Sequence, residues 1–400
     1  MSTHTPARLS RARMAVTAAF IVHGLVFSSW LPHIPAIKDD LRLSEGTLGL
    51  VLLAPPLGAI VAMSLTGAAC ARWGSAAVTR VTLVVYALGI TAIGVGAGTT
   101  WGLSLALLWA GALVGSFDVA MNAQGATVEK AMGKSIMGSF HAAWSLAAAA
   151  GAGIGGWVAA VDEDLFTTQL FAVGMIALLA ALPFFTSFIP DAPPEAHAKG
   201  RKWRFERGLV LLSMVAFAGL LAEGAVADWS AVFLSQERGA SPMVAGWAYA
   251  VFSVAMLIGR LAGDRLVGRF GRSRSVAVAA LTGGGGMAVG LVVSQLAGDS
   301  GLGQASFIAG LFILGLGIAV IVPVAFSSAG DGPGIATVST GGYTGWLLGP
   351  AVIGGLGELM GLSAAIWVVA VLAVFAGLVA PLGIGALRGA SDKEKAAAAP

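Results

Sequence analysis

From Gly301 to Gly357 the chain carries a single charged residue, Asp331, and comparable apolar runs recur along most of its length. A helix needs about 20 apolar residues to cross the hydrocarbon core of a bilayer. In water only one stripe of a helix is normally apolar, so a soluble fold has no means of covering runs of this kind. Composition agrees: 57% of the 400 residues are hydrophobic and 11% are charged, against about a quarter charged in soluble chains. The runs are continuous, whereas barrel strands alternate over about ten residues. The expected fold class is an all-α membrane protein.

Dividing the chain at its Gly, Pro and charge clusters predicts twelve spans. Six begin near Ala12, Gly46, Ala76, Trp101, Ser135 and Gln169, and six near Gly208, Val244, Ser275, Gly301, Gly334 and Leu362. No room remains for a sizeable soluble domain or a nucleotide-driven motor, and the chain is not expected to be an enzyme. The first run follows Arg8, Arg11 and Arg13 but continues to about Ala36, beyond the apolar core of a signal peptide, so it reads as an uncleaved first helix. Cys70 is the only cysteine, which excludes a disulfide framework and a cysteine-ligated metal centre.

Of the 23 Lys and Arg, 20 gather in the N-terminal tail, Arg72 to Arg80, Lys130 with Lys134, Lys199 to Arg207, Arg260 to Arg274 and the C-terminal tail. All of these fall at alternate ends of the spans; Lys38, Arg42 and Arg238 fall at the other ends. The positive-inside rule then places both termini in the cytoplasm. The net charge of +3 reflects this topology and does not point to a nucleic-acid partner.

The longest polar interruption, Pro190 to Arg207, divides the spans six and six and predicts an N-terminal bundle (1–188), a cytoplasmic linker (189–207) and a C-terminal bundle with a short tail (208–400). A shift of about 200 residues superposes His23-Gly24 through Trp30 on Glu223-Gly224 through Trp229, and Arg72-Trp73-Gly74 on Arg269-Phe270-Gly271. Trp144-Ser145 and Gly155-Gly156 fall likewise on Tyr343-Thr344 and Gly354-Gly355. An even number of spans per repeat keeps both copies in one orientation, so two parallel six-helix bundles are expected around an axis along the membrane normal.

With these landmarks the chain resembles the major facilitator superfamily over essentially its whole length. Gly259 to Arg272 (GRLAGDRLVGRFGR) is similar to that superfamily's basic loop motif, and its first-half counterpart keeps Arg72 and Gly74 but has Ala71 where an acid is expected. Asp118-Val119-Ala120-Met121-Asn122 resembles the Glu-x-x-x-Asn of the fucose:proton symporter family, whose acid couples protons to sugar. Glu223 to Leu234 and Gly342 to Pro350 resemble a YbjJ-like branch of bacterial inner-membrane proteins. The resemblance implies a secondary transporter of a small molecule, sugar-like or otherwise polar, working by alternating access with the proton as coupling ion and no other cofactor. It also implies a monomer, surrounded by lipid, in the bacterial plasma (inner) membrane. Proton-driven drug efflux and a non-transporting membrane sensor are the alternatives. Gly151 to Gly156 is similar to the core of a drug:proton antiporter motif, with Ala152 in place of its proline.

An ionisable side chain within a span costs about 2.5 to 3.5 kcal/mol on insertion scales and is a functional candidate by default. Gly111, Gly115, Asp118, Asn122, Gly125 and Glu129 share one helical face through their i+3 and i+4 spacing. Asp118 is the first candidate proton carrier, and a hydrogen-bonded partner of Asn122 is its plainer reading. Glu223, mid-span, is the second candidate; Asp228, five residues on, lies about 140° around the helix and is expected at the outer gate or as a cap. Of the intramembrane histidines His23 and His141, each suits proton transfer near neutral pH and each is also consistent with simple packing. His23 is the only ionisable group from His23 to Leu31, where the fucose symporters carry an acid. Arg260 and Asp264 are spaced for an intrahelical ion pair and are expected to form a cytoplasmic latch. Arg265, Arg269 and Arg72 complete the gating candidates. Substrate contacts are expected from Asn122, Trp30, Trp144, Ser145, Tyr343 and Trp346, with interface anchoring the alternative for aromatics and preferred for Trp229. The glycine runs, including a nominal GxGxxG at Gly151, Gly153 and Gly156, lie within spans and are read as helix-packing positions. No His, Cys or carboxylate cluster has metal-ligand spacing.

Overall fold

The computed structural model describes residues 5–134, 136–191, 206–330 and 332–397, with the side chains at 264, 332–333, 336 and 388–397 left aside. Among the described residues every regular element is helical. The spanning segments of the first half are α1 (Pro6–Asp40), α2 (Glu45–Trp73), α3 (Ser75–Gly96), α4 (Thr100–Met132), α5 (Met137–Val161) and α6 (Glu163–Phe184). The second half contributes α7 (Arg207–Glu237), α8 (Pro242–Phe270), α9 (Arg272–Ala297), α10 (Gly301–Ser328), α11 (Gly332–Met360) and α12 (Leu362–Leu387). Eleven of these meet length and hydropathy criteria for crossing a membrane over the described residues. The remaining one, α11, is a 29-residue helix. The protein is therefore a multi-pass membrane protein.

The surface explains why the chain lacks soluble-type amphipathic helices. Leu65, Val95, Leu105, Ile176, Val289 and Leu378 are all well exposed, which suits hydrocarbon and not water. Prolines bend the spans where the centre of the molecule needs shape. α1 breaks at Ser29 and continues through a 3-10 turn carrying Pro32 and a short helix carrying Pro35; α2 restarts at Ala54 with Pro55 and Pro56 in its first turn, where a missing amide hydrogen costs nothing. α7 ends in a π-helical stretch, Phe233–Glu237.

Within each half, α1 packs on α5, α2 on α4, α7 on α11, and α9 on both α10 and α12; the halves meet where α5 crosses α8 and α2 crosses α11. Both crossings need glycine. A Cβ on Gly246 would lie 2.7 Å from the Cα of Gly156, and one on Gly354 would lie 2.8 Å from the Cα of Gly49. The internal repeat also shows in the backbone: Gly74 and Gly271 link α2 to α3 and α8 to α9 with φ of 82° and 80°, conformations that side-chain-bearing residues rarely adopt.

One face of the molecule, here the basic face, carries both ends of the described chain. There Asp191, in the first residues of the expected linker, closes the start of α3. It accepts hydrogen bonds from the Ser75 amide at 2.5 Å, from Ser75 Oγ, and from Thr127 Oγ1 at 2.9 Å. Gln124 Nε2 donates to both Ser75 Oγ and the Ile189 carbonyl. The linker's start is thus fastened to the first half, while 192–205 lie outside the described residues. Glu129, a member of the α4 stripe, accepts from the amides of Ile136 and Met137 at 2.7 Å each, a capping arrangement that satisfies otherwise unpaired donors at the start of α5.

A central cavity and a polar layer between the two halves

The far face, opposite the basic one, is closed by polar contacts between the halves. Lys38 at the end of α1 donates to Gln236 Oε1 at 2.9 Å and pairs with Glu45 at 3.3 Å. Gln236 Nε2 donates to Asp39 at 2.7 Å, and the Gly46 amide donates to Glu358 at 3.0 Å. The π-helical end of α7 carries Gln236 into this clasp, a type of helix distortion that is frequent at functional sites. None of these five polar residues was a candidate site residue in the sequence, because each sits near the end of a span among ordinary polar residues.

Toward the middle of the molecule from the clasp lies a cavity shared by both halves. Phe27, Trp30, Pro55 and Val114 line it from the first half, and Asp228, Trp346 and Pro350 from the second. Asp228 was expected at the outer gate or as a cap; it lines this cavity instead, because α7 continues for two more turns before ending at the clasp. Trp229, its neighbour, is fully buried in the second half and does not anchor at an interface. Trp30 and Trp346 both line the cavity, one from each half.

A polar layer follows, one helical turn nearer the basic face. Asp118 stands four residues beyond the cavity-lining Val114 on α4, and Asn122 Nδ2 donates to its carboxylate at 3.0 Å and to its carbonyl at 2.9 Å. Tyr86 of α3 and Tyr343 of α11 are both close enough to interact electrostatically with Asp118. Gly111 and Gly115, on the same stripe, are packed against Pro55 and Ala59 of α2. The stripe therefore divides between helix packing at its far end, Asp118 with Asn122 in the middle, and a cap at Glu129.

The ion pair expected between Arg260 and Asp264 involves a side chain outside the described residues. The Arg260 guanidinium reaches the polar layer, donating to Ser145 Oγ of α5 at 2.7 Å and pairing with Glu223 of α7 at 3.3 Å. It lies 6.0 Å from the centre of the Trp144 ring. A carboxylate in mid-span is costly unless paired, and a long arginine two to three turns from its helix end can meet it. Arg72 and Arg269 lie at the basic face over their neighbours Trp73 and Phe270, and Arg265 is exposed there.

His23 is buried beneath the same layer. Trp144 Nε1 donates to its Nδ1 at 2.7 Å, Tyr86 hydroxyl donates to its carbonyl at 2.9 Å, and its ring stacks on Tyr86 with centroids 5.1 Å apart. Because Nδ1 accepts, the ring is neutral with its proton on Nε2. His141 meets the Phe20 ring edge-on at 5.1 Å and lies within electrostatic reach of Arg260. Arginine, carboxylates, histidines and tyrosines thus converge where the halves face one another, and among the described residues no group of three or more His, Cys, Asp or Glu is arranged to hold a metal.

The family model of the Major Facilitator Superfamily matches residues 16–331 and 211–399. An uncharacterized MFS-type transporter of Yersinia pestis is 36% identical over 367 residues, covering 90% of this chain and 92% of the relative. Membrane protein MosC of Rhizobium meliloti is 27% identical, covering 88% and 85%. Among solved structures, the D-xylose-proton symporter aligns with a TM-score of 0.67 at 16% identity, covering 92% of this chain and 96% of that one. With two crossed six-helix halves, a shared central cavity and a sequence match across nearly the whole length, the chain belongs to the major facilitator superfamily.

Proposed function

We propose that this protein is a proton-coupled secondary transporter that carries a small molecule across the bacterial inner membrane by rocking its two halves about the central cavity. Asp118 carries the reading: a carboxylate with no cationic partner among the described residues, one turn from the cavity and within electrostatic reach of Tyr343 of the other half. A buried carboxylate strongly disfavours its charge and so can take up and release a proton as its surroundings change. Glu223 is committed to Arg260 and serves better as part of a switch. Because Ser145 belongs to one half and Arg260 to the other, their hydrogen bond must break or re-form when the halves rock. With the termini cytoplasmic, as the basic residues suggest, the clasped far face is periplasmic and the protein stands closed to that side. Transfer of one proton charge through 100 mV supplies about 2.3 kcal/mol, enough for roughly fiftyfold accumulation. No cofactor beyond the proton is required, and a monomer suffices because both halves of the cavity come from one chain.

The test is uptake of a metabolite panel into proteoliposomes with and without a pH gradient, comparing wild type with Asp118→Asn. Gradient-driven accumulation that the substitution abolishes supports the reading. Accumulation unchanged by Asp118→Asn would remove Asp118 as the carrier.

A further inference from the structure

The cavity between the halves has an unusual chemical balance. Its lining offers one charged side chain, Asp228, set among Phe27, Trp30, Trp346 and Pro55; beyond the two indole N–H groups no other lining side chain forms hydrogen bonds. Trp346 lines the same cavity and packs closely on α7 one turn before Asp228. A Cβ on Gly224, one turn before Asp228, would come within 3.0 Å of its indole Cδ1. Among the described residues Asp228 has neither a hydrogen-bond nor an ion-pair partner, in contrast to Asp118 with Asn122 and Glu223 with Arg260.

A charged carboxylate in an apolar cavity is expensive unless it takes up a proton or meets a positive partner, and a ligand that brings a positive charge and a donor supplies such a partner. The walls select the rest of such a ligand. A polyol or sugar needs several polar partners, and each hydroxyl left without one costs about 1 to 3 kcal/mol. An ammonium group on an apolar or aromatic body needs one carboxylate and the faces of aromatic rings, which attract cations through their quadrupoles. We infer that the cavity binds an organic cation, an amine-bearing small molecule whose ammonium group pairs with Asp228 while its body lies against Trp30, Trp346 and Phe27. This inference rests on the transport reading for its purpose, but it concerns equilibrium binding and is tested apart from transport.

The purified protein is titrated with phenethylamine and with 2-phenylethanol, which share a body and differ in charge, following tryptophan fluorescence and confirming by calorimetry. The amine is expected to bind at least about tenfold more tightly than the alcohol, and Asp228→Asn to remove that preference while Asp228→Glu retains part of it. The same variants in the uptake assay separate the two ideas. Selective amine binding without any transport leaves the inference standing and removes the transport reading. Equal binding of the two probes, binding of neither to a folded wild type, or an amine preference that survives Asp228→Asn overturns the inference. A fluorescence response to pH alone that Asp228→Asn abolishes, with no preference between probes, overturns it too and assigns a proton to Asp228.

Discussion

Arg260, on the second half, donates a 2.7 Å hydrogen bond to Ser145, on the first, while its other terminal nitrogen is paired with Glu223 at 3.3 Å. One guanidinium therefore both neutralises an intramembrane acid and ties the halves together. Removing one partner of a buried ion pair costs more than removing both, since the survivor is left uncompensated. Arg260→Met is expected to lower stability by about 3 kcal/mol, and Arg260→Met with Glu223→Leu to recover most of it. Thermal unfolding of the detergent-solubilised variants checks this; equal losses in the single and double variants would show that the pair is not coupled.

Closure of the far face depends on backbone approach at Gly156 and Gly246. Filling that contact with Gly246→Leu costs the closed arrangement about 1 to 3 kcal/mol through overpacking. In a Cys70→Ser background with a cysteine at Ala227, labelling by an impermeant maleimide applied from the periplasm is expected to rise about tenfold. Unchanged labelling would mean that the α5–α8 contact does not control access to the cavity.

The clasp at Lys38 makes a polar contribution to the same closure. Lys38 is buried, and Lys38→Met removes its ion pair with Glu45 and its hydrogen bond to Gln236 together. A loss of about 1 to 2 kcal/mol in the closed form is expected, read as faster labelling at the Ala227 cysteine. Glu45→Gln should produce a smaller increase, since it leaves the bond to Gln236 in place.

Asp191 is expected to act on stability and not on access. Asp191→Ala strands the Ser75 amide and leaves the Ser75 hydroxyl without its acceptor, while the Thr127 hydroxyl keeps the Ala123 carbonyl; a loss of about 1 to 2 kcal/mol follows from comparable capping residues. Asp191→Asn keeps one acceptor oxygen and should lose less. Melting temperatures of the two variants, together with unchanged maleimide access, check both parts.

Much of this arrangement was legible from residue order. The starts predicted near Gly46, Ala76, Trp101, Gly301 and Leu362 lie within one residue of the observed helices, because hydropathy is a local property that a membrane enforces span by span. The glycine runs read as packing positions are packed against neighbouring backbone at Gly151, Gly156 and Gly283. The repeat pairs His23 with Glu223 and Trp144 with Tyr343, and matching positions in two parallel bundles come to matching depths.

Sequence alone determined that the chain crosses a membrane many times as helices in two repeated halves, and which few ionisable groups remain inside. It did not determine what those groups face. Arg260 pairs with an acid 37 residues away in the chain and donates to a serine of the other half, and Asp228 acquired its place in the cavity only when α1, α2, α4 and α11 closed around α7. Helical periodicity fixes which residues share a face, but which face meets which neighbour is decided by packing between segments far apart in the chain. The partners of intramembrane charges are therefore a property of the tertiary structure.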